Sequence, residues 1–264
     1  MNAIHRLERS AGRRLRALVA AVVVAGALVT GGATARAGYS EDGFETEEIS
    51  AFTLRPQELK VGPAAIRLGL PGHLQLGTAF ALNLLGAFNG DLKWRIYETD
   101  AVAFGLASGI VVYDPGSVGV DSDFSVTAVP LDLDVTFKPA RVLQIHVRLR
   151  YLSEDANERA PDAVLRIQRY LGPVGRLAGE LAVEWRASDH VALVLDGAVP
   201  IAMHDETFLY ADEDPDDRGK MSRVALSLFG SFDAFVFRAG VGYGPSFLGK
   251  QSVFPVVDLY WRIF

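Results

Sequence analysis

The residues best placed to do chemistry stand in two short runs. Asp132 and Asp134 lie in LDLDVTFK, and His146, Arg148 and Arg150 lie in LQIHVRLR, with Lys138-Pro139-Ala140-Arg141 between them. A tight turn at 138–141 folds the two runs into a hairpin whose paired positions sum to about 280. Asp134 then faces His146 and Asp132 faces Arg148, opposite charges across one face of an antiparallel pair. The run LAGELAVEW adds Glu180 and Glu184 near Arg148 and Arg150, and DLKWRIY supplies Lys93 and Arg95. Such groups can do one of three things: pair into a lattice that stiffens a wall, select solutes as charged rings do in pores, or work as a base, with Asp134 orienting His146. Catalysis fits worst, because a hydrolase needs a nucleophile within reach of a histidine. Ser125, Ser222 and Ser227 have no neighbouring His, and His73, His190 and His204 stand apart beside turns or loops. No H-E-x-x-H, P-loop or dinucleotide fingerprint occurs, so neither an enzyme nor a cofactor is expected.

The elements that position these charges are strands. Leu143, Ile145, Val147, Leu149 and Tyr151 alternate with Gln144, His146, Arg148 and Arg150; a helix would scatter those polar groups around its circumference. The same period of two runs through 91–97, 131–138, 177–186, 191–201, 223–232, 235–243 and 251–264. Weaker, Gly- or Ala-rich strands are expected at about 45–54, 58–70, 73–83 and 101–113. The count is twelve, with ten as the alternative. Short links at 70–72, 98–100, 138–141, 187–189 and 233–234 alternate with longer ones at 83–90, 114–123, 153–173, 204–220 and 244–251. That rhythm predicts an all-β, closed antiparallel transmembrane β-barrel with tight turns at one end and long loops at the other. The least regular strand is the first, Glu47 to Leu54, with Arg55-Pro56-Gln57 as its outer turn. A soluble barrel would fill its interior with apolar side chains, whereas this polar face is charged and the aromatic residues gather near strand ends, as interfacial girdles do.

Both ends of the chain point the same way. Arg6, Arg9, Arg13, Arg14 and Arg16, the apolar run Ala17–Val29 and the small-residue site Ala35-Arg36-Ala37 read as a secretory signal peptide over 1–37. The barrel then occupies 38–264, led by a short periplasmic segment at about 38–46. At the other end VVDLYWRIF alternates and stops on an aromatic residue. This segment resembles the terminal assembly signal of bacterial outer-membrane β-barrel proteins, carried here by Tyr260, Trp261 and Phe264. Arg262 departs from that pattern, standing where an aliphatic or aromatic residue is usual. The stretch Phe52–Tyr113, with its GAFNGDLKWRIYETD core, resembles uncharacterised, porin-like members of the same group. The resemblance implies the outer membrane of a Gram-negative bacterium, with the lipid bilayer, lipopolysaccharide and the barrel-assembly machinery as partners.

Composition narrows the rest. The chain carries −6 formally; six Arg and Glu8 fall in the export segment, which leaves about −11 on 38–264 and argues against nucleic acid as a partner. Cys is absent, which excludes disulfides, thiolate metal sites and Cys nucleophiles. The acidic loop 204–220 holds Asp212, Asp214 and Asp216, oxygen donors that suit a divalent cation, but it lacks the Gly-containing spacing of a calcium loop and reads first as a solvated segment. PDAVLRIQRYL at 161–171 is briefly amphipathic and predicts a short helix. Together these features predict a narrow channel for small hydrophilic solutes, lined by Lys93, Arg95, Asp132, Asp134, His146, Arg148, Arg150, Glu180 and Glu184. The alternative is a closed structural or binding barrel acting through its outer loops, and the third option is an outer-membrane hydrolase.

Overall fold

A computed structural model describes residues 50–63, 65–80, 83, 87–113, 125–156, 177–202, 222–232, 235–245 and 251–263. The segments 1–37 and 38–46, the helix expected at 161–171, the loop 204–220 with Asp212, Asp214 and Asp216, and Phe264 lie outside these residues.

The chain forms twelve strands: β1 (Leu59–Val61), β2 (Ile66–Leu70), β3 (Leu74–Thr78), β4 (Ala87–Glu98), β5 (Val102–Tyr113), β6 (Val126–Ala140), β7 (Leu143–Ala156), β8 (Leu177–Arg186), β9 (Val191–Ala202), β10 (Arg223–Phe232), β11 (Phe235–Pro245) and β12 (Gln251–Ile263). Each pairs antiparallel with its neighbours in sequence, and β1 pairs with β12 to close the barrel. Strands β4 to β12 run 10 to 15 residues, at or above the roughly 9–11 that cross a bilayer. β1, β2 and β3 have 3, 5 and 5 residues, so the wall is short where the two ends of the chain meet.

Alternation sorts the side chains as period-two geometry requires. Leu92, Trp94, Leu106, Leu133, Leu195 and Leu228 point outward and are exposed, an apolar surface of the kind that hydrocarbon covers. Asp132, Asp134, His146, Arg148, Glu180 and Glu184 point into the lumen and are buried. An aromatic cluster lies at the short-turn end of β10 to β12, with Phe232 stacked on His190 and on Phe237, and Phe235 edge-on to Trp261. Exposed Phe88 and Tyr243 lie toward the long-connection ends of β4 and β11. Phe237 also lies over Gly230, where a Cβ would collide with its ring.

The strand count matches the expectation of twelve, but its first members differ. The segment expected as one strand at 58–70 is two strands, β1 and β2, joined through a turn in which Gly62 N donates to Ala65 O. The strand expected at 47–54 is not formed over residues 50–54, which are buried inside the barrel. The 73–83 strand ends at Thr78, where Asn89 accepts a hydrogen bond from Ala79 N and donates one to Ala79 O.

Candidate functional site: the barrel lumen

The β6–β7 hairpin sets the geometry of the lumen. Its turn is Arg141-Val142, the last residue of the expected link and the one after it, with a register irregularity between Phe137 and Ala140. Paired positions therefore sum to 282 along most of the ladder: Asp132 faces Arg150, Asp134 faces Arg148, and Thr136 faces His146. This corrects the expected Asp134–His146 and Asp132–Arg148 pairs. A slip of two residues leaves every side chain on its predicted face and changes only its partner.

Arg148 and Arg150 answer the two aspartates. Arg148 Nε donates to Asp134 Oδ1 at 2.7 Å, with Nη2 at 3.4 Å from Oδ2. Arg150 grips Asp132 with both arms of its fork, at 2.8 and 2.7 Å, the bidentate geometry that a planar guanidinium favours. Lys93 Nζ lies 3.6 Å from Asp134, and Glu180 lies 3.6 Å from Arg148 and 3.8 Å from Arg150. Asp134 is fully excluded from solvent, and the ion pairs offset the large cost of burying its charge.

Two expected members stand elsewhere. Glu184 faces Gln144, accepts from Arg186 Nε at 2.9 Å and lies 3.4 Å from His146 Nε2. Arg95 sits toward the short-turn end with Glu98 at 2.5 Å and His73 at 2.6 Å, apart from the lattice. In the terminal segment Tyr260 turns inward beneath Lys60, whose Nζ is 3.4 Å from the ring centroid, while Trp261 faces outward against Phe235.

The main feature that sequence reading missed is a floor across the lumen. Ser50, Ala51 and Phe52 are wholly buried between the walls. Lys93 Nζ donates to Ser50 O at 2.5 Å, Ala51 N donates to Thr136 Oγ1 at 2.9 Å, and Leu54 N donates to Gln75 Oε1 at 2.9 Å. Lys138 Nζ lies 4.8 Å from the centroid of the Phe52 ring. Two glycines make room for the crossing: a Cβ on Gly105 would press on Ala51, and one on Gly69 would overlap the carbonyl of Arg55. The segment then turns into β1 through Glu58, which is buried and paired with Arg262.

Missed too were Arg238, which crosses Ser227 to reach Asp196, and the chain Thr136–His146–Glu184. In the latter, Thr136 Oγ1 is 3.0 Å from His146 Nδ1. The order hydroxyl, imidazole, carboxylate is that of a nucleophilic site. Here all three groups are buried and the hydroxyl already accepts the amide of Ala51, so the chain helps to hold the floor. Among the described residues no group of three or more His, Cys, Asp or Glu is arranged to hold a metal ion.

Neither protein-family profiles nor curated proteins show a match to this chain. Among solved structures it is similar to outer-membrane expressed OmpT of Vibrio cholerae (12% identity, 78% of this chain and 64% of that one, TM-score 0.37). It is also similar to LpxR from Salmonella typhimurium (6%, 78% and 87%, 0.34) and CdiB from Acinetobacter baumannii (8%, 78% and 46%, 0.30). The chain thus spans less than two thirds of the length of the first of these.

Proposed function

We propose that this chain is an outer-membrane barrel of a Gram-negative bacterium whose lumen is sealed, and that it acts through the surface it presents at its long-connection end. The carrying observation is the floor: Ser50, Ala51 and Phe52 are inaccessible to solvent and are gripped from β4 and β6. On the surrounding wall of β6, β7 and β8, Asp134, Thr136, Gln144 and Glu184 are also fully buried, which supports a closed lumen. The charges expected to select solutes neutralise one another instead. The apolar outward face supports placement in a bilayer, where a closed barrel satisfies its backbone internally.

A second reading, a narrow charge-lined channel that conducts once the floor withdraws, is favoured by the way the floor is held. It is fixed by side-chain hydrogen bonds from Lys93, Thr136 and Gln75 and does not join the strand ladder. The test is conductance in planar bilayers, comparing refolded wild type with the Thr136→Ala/Gln75→Ala variant, both checked for heat-modifiable mobility on gels. The sealed reading expects silence from the wild type, and steady current from it would overturn that reading. Current from the variant alone would establish the channel reading, with the floor as its gate.

A further inference from the structure

We infer that the barrel wall carries a lateral notch between β12 and β4, on the long-connection side of β1–β3, and that an acyl chain of a bilayer lipid enters the lumen through it. The inference rests on the bilayer placement proposed above and is independent of whether the floor stays closed.

The notch follows from strand length. β1, β2 and β3 hold 3, 5 and 5 residues. At roughly 3.3 Å per residue their ladders rise about 10–17 Å, short of the apolar band of about 25 Å that a barrel presents to hydrocarbon. The flanking strands are full length, 13 residues in β12 and 12 in β4. Among the described residues β1 meets β12 only at Trp261, Arg262 and Ile263. Extending that register would set Ala65 beside Val257, but there the chain has already turned toward β2, with Gly62 N donating to Ala65 O. β3 meets β4 from Trp94 to Asp91 and ends at Thr78, short of the position that would face Phe88.

Exposure marks the same rim. Val253 and Val257 on β12 and Phe88 on β4 are 72%, 76% and 71% exposed, and every other exposed large apolar side chain among the described residues is at 59% or less. On the seam side none of the three has a described neighbour in the ladder. This rim continues the outward apolar face, so hydrocarbon is the medium that reaches it. Behind it the period of two turns Phe254 and Val256 inward, both half-buried. The Phe254 ring lies where a Cβ on Gly242 would stand, so the lumen wall beside the notch is apolar on the β12 side.

An added strand, from a second copy or another protein, is the other way to fill such an edge. Pro255 argues against it. The carbonyl of Leu259 points into the seam, against Gly62, and the two-residue repeat of the ladder points the backbone of Val257, Pro255 and Val253 the same way. Pro255 offers no N–H there, a placement that blunts an edge against pairing. An acyl chain needs no backbone partner and matches the apolar rim.

The test exploits the absence of Cys from the chain. Val256→Cys, or Phe254→Cys should the first fail to fold by gel mobility, carries a nitroxide in the refolded full chain in phosphatidylcholine vesicles. Leu195→Cys on the outward face and Arg141→Cys in the exposed short turn serve as hydrocarbon and water references. Oxygen concentrates in hydrocarbon and a nickel chelate in water, so the relaxation each causes reports the medium around the label. The expected result is an oxygen effect at the inward label that matches position 195 and outweighs the nickel effect. A dominant nickel effect, or protection from both reagents, overturns the entry of an acyl chain. Spin–spin broadening at Val257→Cys would place a second copy in the notch and overturn it too. With position 195 reached by oxygen, such a failure belongs to the notch alone; without it, the bilayer placement fails and the notch proposal falls with it.

Discussion

Removing the carboxylate of Asp134 tests the lattice most directly. Asp134→Ala leaves Arg148 without its 2.7 Å partner and Lys93 without its 3.6 Å one, at a position sealed from solvent. Breaking a buried ion pair from one side costs about 3–5 kcal/mol. Arg148 keeps Asp132 and Glu180, each at 3.6 Å, and Lys93 keeps the carbonyl of Ser50, so the lower end, about 3 kcal/mol, is expected. Arg148→Met alone strands Asp134 beside Lys93 and costs a similar amount. Asp134→Ala/Arg148→Met removes both charges, and its loss should be well below the sum of the single losses. Reversible guanidinium unfolding in detergent, with a double-mutant cycle, measures all of these. A loss under about 1 kcal/mol for Asp134→Ala would show that water reaches the pair, and the description of a dry lumen would fail.

Thr136→Val deletes the acceptor of Ala51 N and the partner of His146. A destabilisation of about 1–3 kcal/mol is expected for the orphaned groups, with faster hydrogen exchange at Ala51. Gly69→Ala places a methyl group on the carbonyl of Arg55, and mass-resolved exchange should show residues 50–58 loosened while β6 and β7 stay protected. Leu195→Arg sets a charge on the outward face in the middle of β9. In vesicles it should cost about 2–4 kcal/mol, and a cost near zero would refute the bilayer placement.

The long strands were legible because their two faces meet different surroundings, and a period of two survives in the residue types from Leu143 to Tyr151. The same rule misled at the floor. Ser50-Ala51-Phe52-Thr53-Leu54 was read as an irregular strand, yet all five residues are buried, because the segment has the lumen wall around it and no lipid side. β1 and β2 were merged because three and five residues are too few to display a pattern. The lattice members were legible as types on a face. Their partners were not, because Pro139 and Ala140 belong to β6 and the turn falls at Arg141-Val142. Arg238 with Asp196 was hidden because the pair spans two strands that are not neighbours, across Ser227.

The shortness of β1 bears on the order of folding. Its ladder with β12 holds three pairs, Leu59 with Ile263, Lys60 with Arg262 and Val61 with Trp261, against thirteen between β6 and β7. The hairpins join residues near in sequence, whereas this seam joins the two extremes of the barrel and bears the largest loop-closure entropy for the fewest bonds. Closure therefore comes last. Because Ser50–Glu58 runs directly into β1, the floor must be laid between the walls as the seam closes. Pulling on the amino terminus in a single-molecule unfolding experiment should open the seam first and draw out the floor in the same step.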